Sequence, residues 1–172
     1  MANRTRSQYL LEAYFGTIWD QERIEMAAAL LHLGRTGDDP SAIPALLYVL
    51  NSDKDSDLRL AIVELLHARR VREAVPDLAK ALFDADGRVR SLAAEALAEY
   101  ADPRLLASAL PALLQALSDP ATRDSAQAAV KTISGKSADK ITPAERERLR
   151  IGDSAQAIWR ERFAPPADGT GA

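Results

Sequence analysis

Apolar residues fall at helical spacing along most of this chain, and the pattern comes in copies. Three segments share one form: Ala42-Ile43-Pro44-Ala45-Leu46 with Leu50, Ala74-Val75-Pro76-Asp77-Leu78 with Leu82, and Ala109-Leu110-Pro111-Ala112-Leu113 with Leu117. Their prolines, Pro44, Pro76 and Pro111, stand 32 and 35 residues apart. A second run follows each segment, opening on arginine: Arg59 with Ile62, Leu65 and Leu66; Arg90 with Ala93, Ala96 and Leu97; Arg123 with Ala126, Ala129 and Val130. Carried backwards, the same register sets Arg23 ahead of Met26, Ala29 and Leu30, with Leu11 and Phe15 on a preceding helix.

A fixed period of this length is the mark of a solenoid, where one helix pair cannot bury its own apolar face and stacked neighbours do so together. The pattern predicts four helix pairs, at about 7–36, 40–70, 72–101 and 103–134. Proline suits the first turn of a helix, because the N–H it lacks would be unpaired there anyway, so the repeated prolines start the first helix (A) of each pair. The connections to the second helix (B) hold Asp53, Asp55, Asp57, Asp84, Asp86, Asp119 and Thr122, side chains suited to cap the free N–H groups that open it. In unit four the distance from Pro103 to Pro111 is eight residues against four from Pro40 to Pro44, and the expectation is a helix A longer by about one turn. Gly34-Arg35-Thr36-Gly37 reads as a loop after the first helix B. Beyond the repeats, Thr142 with Glu145 forms a capping box around Pro143, and Ile151, Ala155, Ile158, Trp159 and Phe163 share a face. A capping helix over about 142–163 is expected, then a disordered tail at 164–172, rich in Pro, Gly and Ala.

Charge narrows the choice of partner. Over 172 residues, 22 Lys and Arg stand against 25 Asp and Glu, a net charge of −3, with no strongly basic face for nucleic acid. Zero cysteines exclude thiolate metal sites and thiol nucleophiles. No run approaches the ~18 apolar residues of a membrane span, and MANRTRSQYL has no signal-peptide core, so a cytoplasmic protein is expected.

The units resemble the HEAT repeat, and more narrowly the short HEAT-like repeats named after phycobilisome lyases. Unit three carries the closest likeness, Ala74-Val75-Pro76-Asp77-Leu78 followed by Asp86-Gly87-Arg88-Val89-Arg90-Ser91-Leu92-Ala93-Ala94-Glu95-Ala96-Leu97. The resemblance implies an all-α, right-handed α-α superhelix, with the B helices on its concave side. It leaves three functions open: an interaction scaffold, a bilin-lyase-like activity, and a nucleic-acid repair fold.

Residues for chemistry are sparse. The iron-dependent hydroxylases of this fold resemble sets of His-Glu pairs, whereas His32 precedes Leu33 and His67 precedes Ala68. With two His and no Cys, neither a metal nor another cofactor is expected. Asp53, Asp55 and Asp57 lack the central glycine and closing glutamate of a calcium loop. No phosphate-cradling glycine motif is present, and aromatics at 5 % supply few stacking platforms.

A binding surface remains. Counted in register, the B helices offer Ile24, Ala28 and His32; Leu60, Glu64 and His67; Ser91, Glu95 and Glu99; and Asp124, Ala128 and Lys131. Glu64 and Glu95 give this face an acidic tendency. Arg69, Arg70 and Arg72, with nearby Lys80, form a basic turn that suits an acidic segment. Arg23, Arg59, Arg90 and Arg123 follow the repeat itself and are expected to serve the structure, by pairing with loop acids or by stacking between units. The expectation is a non-enzymatic scaffold or adaptor whose partner is another protein, with neither membrane nor nucleic acid involved.

Overall fold

The computed structural model describes residues 5–16, 20–100, 102–135, 140 and 142. Regular structure among them is wholly helical: α1 (Arg6–Gly16), α2 (Asp20–Thr36), α3 (Ala42–Ser52), α4 (Ser56–Ala68), α5 (Val75–Ala81), α6 (Gly87–Glu99), α7 (Pro103–Leu106), α8 (Leu110–Ala116) and α9 (Arg123–Ser134). Single 3-10 turns at Arg72–Ala74 and Ala107–Ala109 lead into α5 and α8. The expected helix at 142–163 and the tail at 164–172 lie, Thr142 apart, outside the described residues.

Pairing follows the period. α1 packs on α2, α3 on α4, α5 on α6 and α8 on α9. Each first helix then packs on the next first helix, α1 on α3 on α5 on α8, and each second on the next second, α2 on α4 on α6 on α9. Two layers result, and the core between them is continuous from Tyr14 to Ile133. α3 shows how local pattern drives this: Ala42, Ala45, Leu46, Val49 and Leu50 are buried at the spacing of one helix face. Ile62, Leu66, Leu78, Leu97 and Leu113 are fully buried at the equivalent inward positions. A Leu taken from water into such a core contributes ~2 kcal/mol, so the stacking surfaces dominate stability. Pro76 and Pro111 sit in the first turns of α5 and α8, as their missing N–H groups allow.

Three local expectations are corrected. Gly34 is a buried residue of α2, with Gly37 closing that helix at φ +75°. A Cβ on Gly34 would stand 2.6 Å from a methyl of Leu46 and 3.0 Å from one of Leu65, so glycine lets α3 and α4 approach α2. In unit four the extra residues do not lengthen one helix: α7, a 3-10 turn and α8 follow one another. Thr122 precedes α9 without capping it, and its buried hydroxyl donates to the Ala116 carbonyl at 2.7 Å.

Candidate binding face and the two repeat edges

The B layer presents the first candidate surface. Glu64 on α4 and Glu95 on α6 occupy equivalent positions of adjacent packed helices, and both are exposed. No hydrogen bond or ion pair to a described residue holds either carboxylate, which suits a surface glutamate chosen for helix propensity. Around them, Leu60, Ala61, Leu92 and Ala98 are half-buried, and Ile24 on α2 keeps 52 % of its surface exposed. Ser91 is half-buried, while Asp124 and Lys131 are exposed on α9. The face is therefore a low apolar strip of small and branched side chains carrying acids.

The edge where each A helix turns into its B helix is built from charge pairs that join units. Asp53, Asp84 and Asp119 each turn one carboxylate oxygen back onto their own loop, accepting from the N–H of Asp55 at 2.6 Å, Asp86 at 2.9 Å and Ala121 at 2.9 Å. The preceding unit's arginine takes up the carboxylate. Arg59 donates to both oxygens of Asp84, at 2.7 Å from Nε and from Nη2, and its Nη1 donates to the Asp53 carbonyl at 2.9 Å. Arg90 repeats this with Asp119 at 2.6 Å and the Asp84 carbonyl at 2.9 Å. Arg23 stands 3.7 Å from Asp53. One arginine thus clamps its own loop and the next, and the fork of a guanidinium is the group that can do both.

Titration agrees with that geometry. Burial pushes the Asp84 carboxyl up, but Arg59 and the Asp86 N–H outweigh it and hold it below the usual carboxylate range. The Ala121 N–H and then Arg90 hold Asp119 down as well. Asp55 and Asp86 cap α4 and α6 through their side chains, as expected.

The opposite edge, where each B helix returns to the next A helix, carries the rest of the sequence candidates. Arg70 donates to Glu99 at 2.9 Å, His67 Nε2 lies 3.2 Å from the same carboxylate oxygen, and Arg72 donates to Asp102 at 2.6 Å. Arg69 donates to the Arg35 carbonyl. Tyr100 bonds the Val71 carbonyl at 2.8 Å through its hydroxyl, and burial raises its pKa. Among the described residues Arg70 is the non-glycine residue with positive φ, +48°, near the helix-closing place that Gly37 and Gly135 fill elsewhere. Lys80 does not join this group. It pairs with Asp77 at 2.9 Å and lines an open cleft of about 480 Å³ on the A-to-B edge, with Asn51, Lys54, Arg59 and Phe83.

Asp39 is a structural carboxylate that the sequence does not single out as a candidate. It is buried, and it accepts from the Ser7 N–H at 2.7 Å, the Ser41 N–H at 2.9 Å and the Ser41 hydroxyl at 2.8 Å. Burial pushes its pKa up, but these donors overcome it and hold it far below the usual range. It fastens α1 to the start of α3. The Asp39-Pro40 pair was the available signal, since Asp102-Pro103 opens unit four in the same way. Among the described residues no group of His, Cys, Asp and Glu is arranged to hold a metal ion, and no described helix is long and apolar enough to cross a membrane.

Stacked helix pairs, a shared core and arginine clamps at a repeat period define a helical solenoid. A family model described as HEAT repeats matches residues 43–134, more than half of the chain, and the protein belongs to the HEAT-repeat family. Among curated proteins none matches the chain.

Proposed function

We propose that this protein is a non-enzymatic scaffold or adaptor that holds a segment of another protein along its B-helix face. HEAT repeats are commonly protein-interaction scaffolds. The observation that carries the reading is the contrast between acids. Asp39, Asp53, Asp84 and Asp119 are committed to the fold, whereas Glu64 and Glu95 lie at equivalent exposed positions on an apolar strip with no described partner. A carboxylate beside Leu60 and Leu92 favours a segment that brings Lys or Arg next to an apolar anchor. Affinity then rests on a few central side chains rather than on area. Glu99, His67, Ser91, Asp124 and Lys131 border the same face, with Arg69, Arg70 and Arg72 on its rim.

The test is co-purification from native lysate with wild-type protein and with a Glu64→Lys/Glu95→Lys variant of unchanged helicity by circular dichroism. A stoichiometric protein retained by the wild type and lost from the variant is the expected result. Equal retention by both moves the site off this face. A coloured ligand or DNA in place of a protein overturns the scaffold.

A further inference from the structure

Three side chains that depart from the repeat line one cleft. The position just before each loop aspartate is serine in units two and four, Ser52 before Asp53 and Ser118 before Asp119, but Phe83 before Asp84 in unit three. Both serines serve the fold: the Ser52 hydroxyl donates to the Tyr48 carbonyl at 2.7 Å and the Ser118 hydroxyl to the Gln115 carbonyl at 2.8 Å, each closing its own helix A. Phe83 gives up that bond and leaves 53 % of its surface exposed. Just after the same aspartates stand Lys54, Ala85 and Pro120, and four residues beyond the helix-A prolines stand Tyr48, Lys80 and Gln115. Lysine thus occurs once in each set, and both lysines line the A-to-B cleft of about 480 Å³ together with Phe83 and the buried Leu50 and Ala81.

Charge in this cleft is uneven in its exposure. The acids are drawn inward: the side chains of Asp53, Asp77 and Asp84 keep 3 %, 17 % and 10 % of their surface, and each stands against a cation, Arg23, Lys80 and Arg59. The lysines reach water. Lys80 keeps 67 % of its side chain exposed, and Asp77 takes one of the three donors of its ammonium. Lys54 is exposed, and no described residue pairs with it. The carbonyl ends of α3 and α5 would favour a cation, but they are answered from within the chain. Asn51, Ser52 and the Asp53 N–H donate to Leu47, Tyr48 and Val49, and the N–H groups of Phe83 and Asp84 donate to Lys80 and Ala81. A ligand therefore meets an aromatic ring, aliphatic side chains and two ammonium groups.

We propose that this cleft is a binding site of its own, apart from the B-helix face, for a peptide segment of a partner protein in which an acidic side chain neighbours an aromatic one. The ring of the segment lies against Phe83, Leu50 and Ala81, and its carboxylate meets Lys54 and Lys80. The cleft is open along the edge, which admits a passing chain, and its volume is ordinary for a ligand cleft.

NMR titration of the full isotope-labelled chain with two end-capped synthetic peptides, one with an Asp-Phe-Asp core and one with Asn-Phe-Asn, tests the site. The acidic peptide shifts the amide resonances of Lys54, Lys80 and Phe83, leaves those of Glu64 and Glu95 in place, and binds more weakly as salt is added. Phe83→Ser, which restores the residue of the neighbouring units, weakens binding about tenfold at unchanged helicity. Lys54→Ala weakens it a few-fold. Glu64→Lys/Glu95→Lys leaves it unchanged, so this site and the B-helix face stand or fall separately. No shifts at millimolar peptide, equal binding of the two peptides, or undiminished binding by Phe83→Ser overturns the proposal. So does a Phe83 resonance that moves with protein concentration before peptide is added, which assigns the cleft to a second copy. Phenylacetate binding as tightly as the peptide assigns it to a small aromatic acid and overturns it as well.

Discussion

The two edges of the solenoid carry similar charges and use them differently. On the A-to-B edge, Arg59 and Asp84 keep 11 % and 10 % of their side-chain surface, meet through two bonds, and each also holds backbone of its own loop. On the B-to-A edge, Arg72 and Asp102 keep 64 % and 37 %, and Arg70 and Glu99 keep 67 % and 47 %. Water screens the second set, and long exposed side chains lose rotamer freedom when they pair, so such pairs contribute little. The first set is partly desolvated. Removing one member strands the other charge beside the core, which makes the clamps structural and the outer pairs available for exchange.

The largest test of that contrast is paired truncation. Arg59→Ala should cost ~2–3 kcal/mol of unfolding free energy, by leaving Asp84 without its cation, while Arg72→Ala should cost less than about 1 kcal/mol. Equal losses in urea denaturation would erase the distinction between the edges.

Acid gives a second, smaller separation. Asp84 has a folded pKa below its unfolded value, so its stabilisation is fully present above the unfolded value of about 4 and is lost as pH falls through the folded value. The gap in unfolding free energy between wild type and Asp84→Asn should therefore hold steady above about pH 5 and narrow below about pH 4. A gap that stays constant down to pH 2 contradicts the clamp.

Backbone strain supplies the finest comparison. Arg70 pays for positive φ on an exposed edge, and both Arg70→Gly and Arg70→Ala lose the bond to Glu99. Glycine should nevertheless leave the protein about 1 kcal/mol more stable than alanine, because only glycine adopts that conformation freely. Thermal unfolding of the two variants side by side reads the difference.

Much of this was legible from spacing. Pro44, Pro76 and Pro111 mark helix starts, and Ile62, Leu66, Ala93 and Leu97 fall on the buried faces because a helix repeats every 3.6 residues whatever lies beside it. That Arg59 and Arg90 serve the structure was also readable from their recurrence, but the choice of loop acids over stacking between units was not. Gly34 was not, since the close approach of Leu46 and Leu65 depends on three helices at once. Nor was Thr122, whose hydroxyl turns back to the Ala116 carbonyl six residues earlier, a contact set by the path of the loop between α8 and α9. Of the candidate face, Glu64 and Glu95 were named from register, but that no described residue pairs with them appears only once the helices are stacked.

By itself the sequence determined the helix pairs, their order and their inward faces, because these rest on local periodicity and on the conformational limits of proline. Tertiary structure decided which acid answers which arginine, and which pairs are shielded from water. Those partners lie about 30 residues apart and meet only once neighbouring units have stacked, so their strength depends on burial that no single repeat can supply.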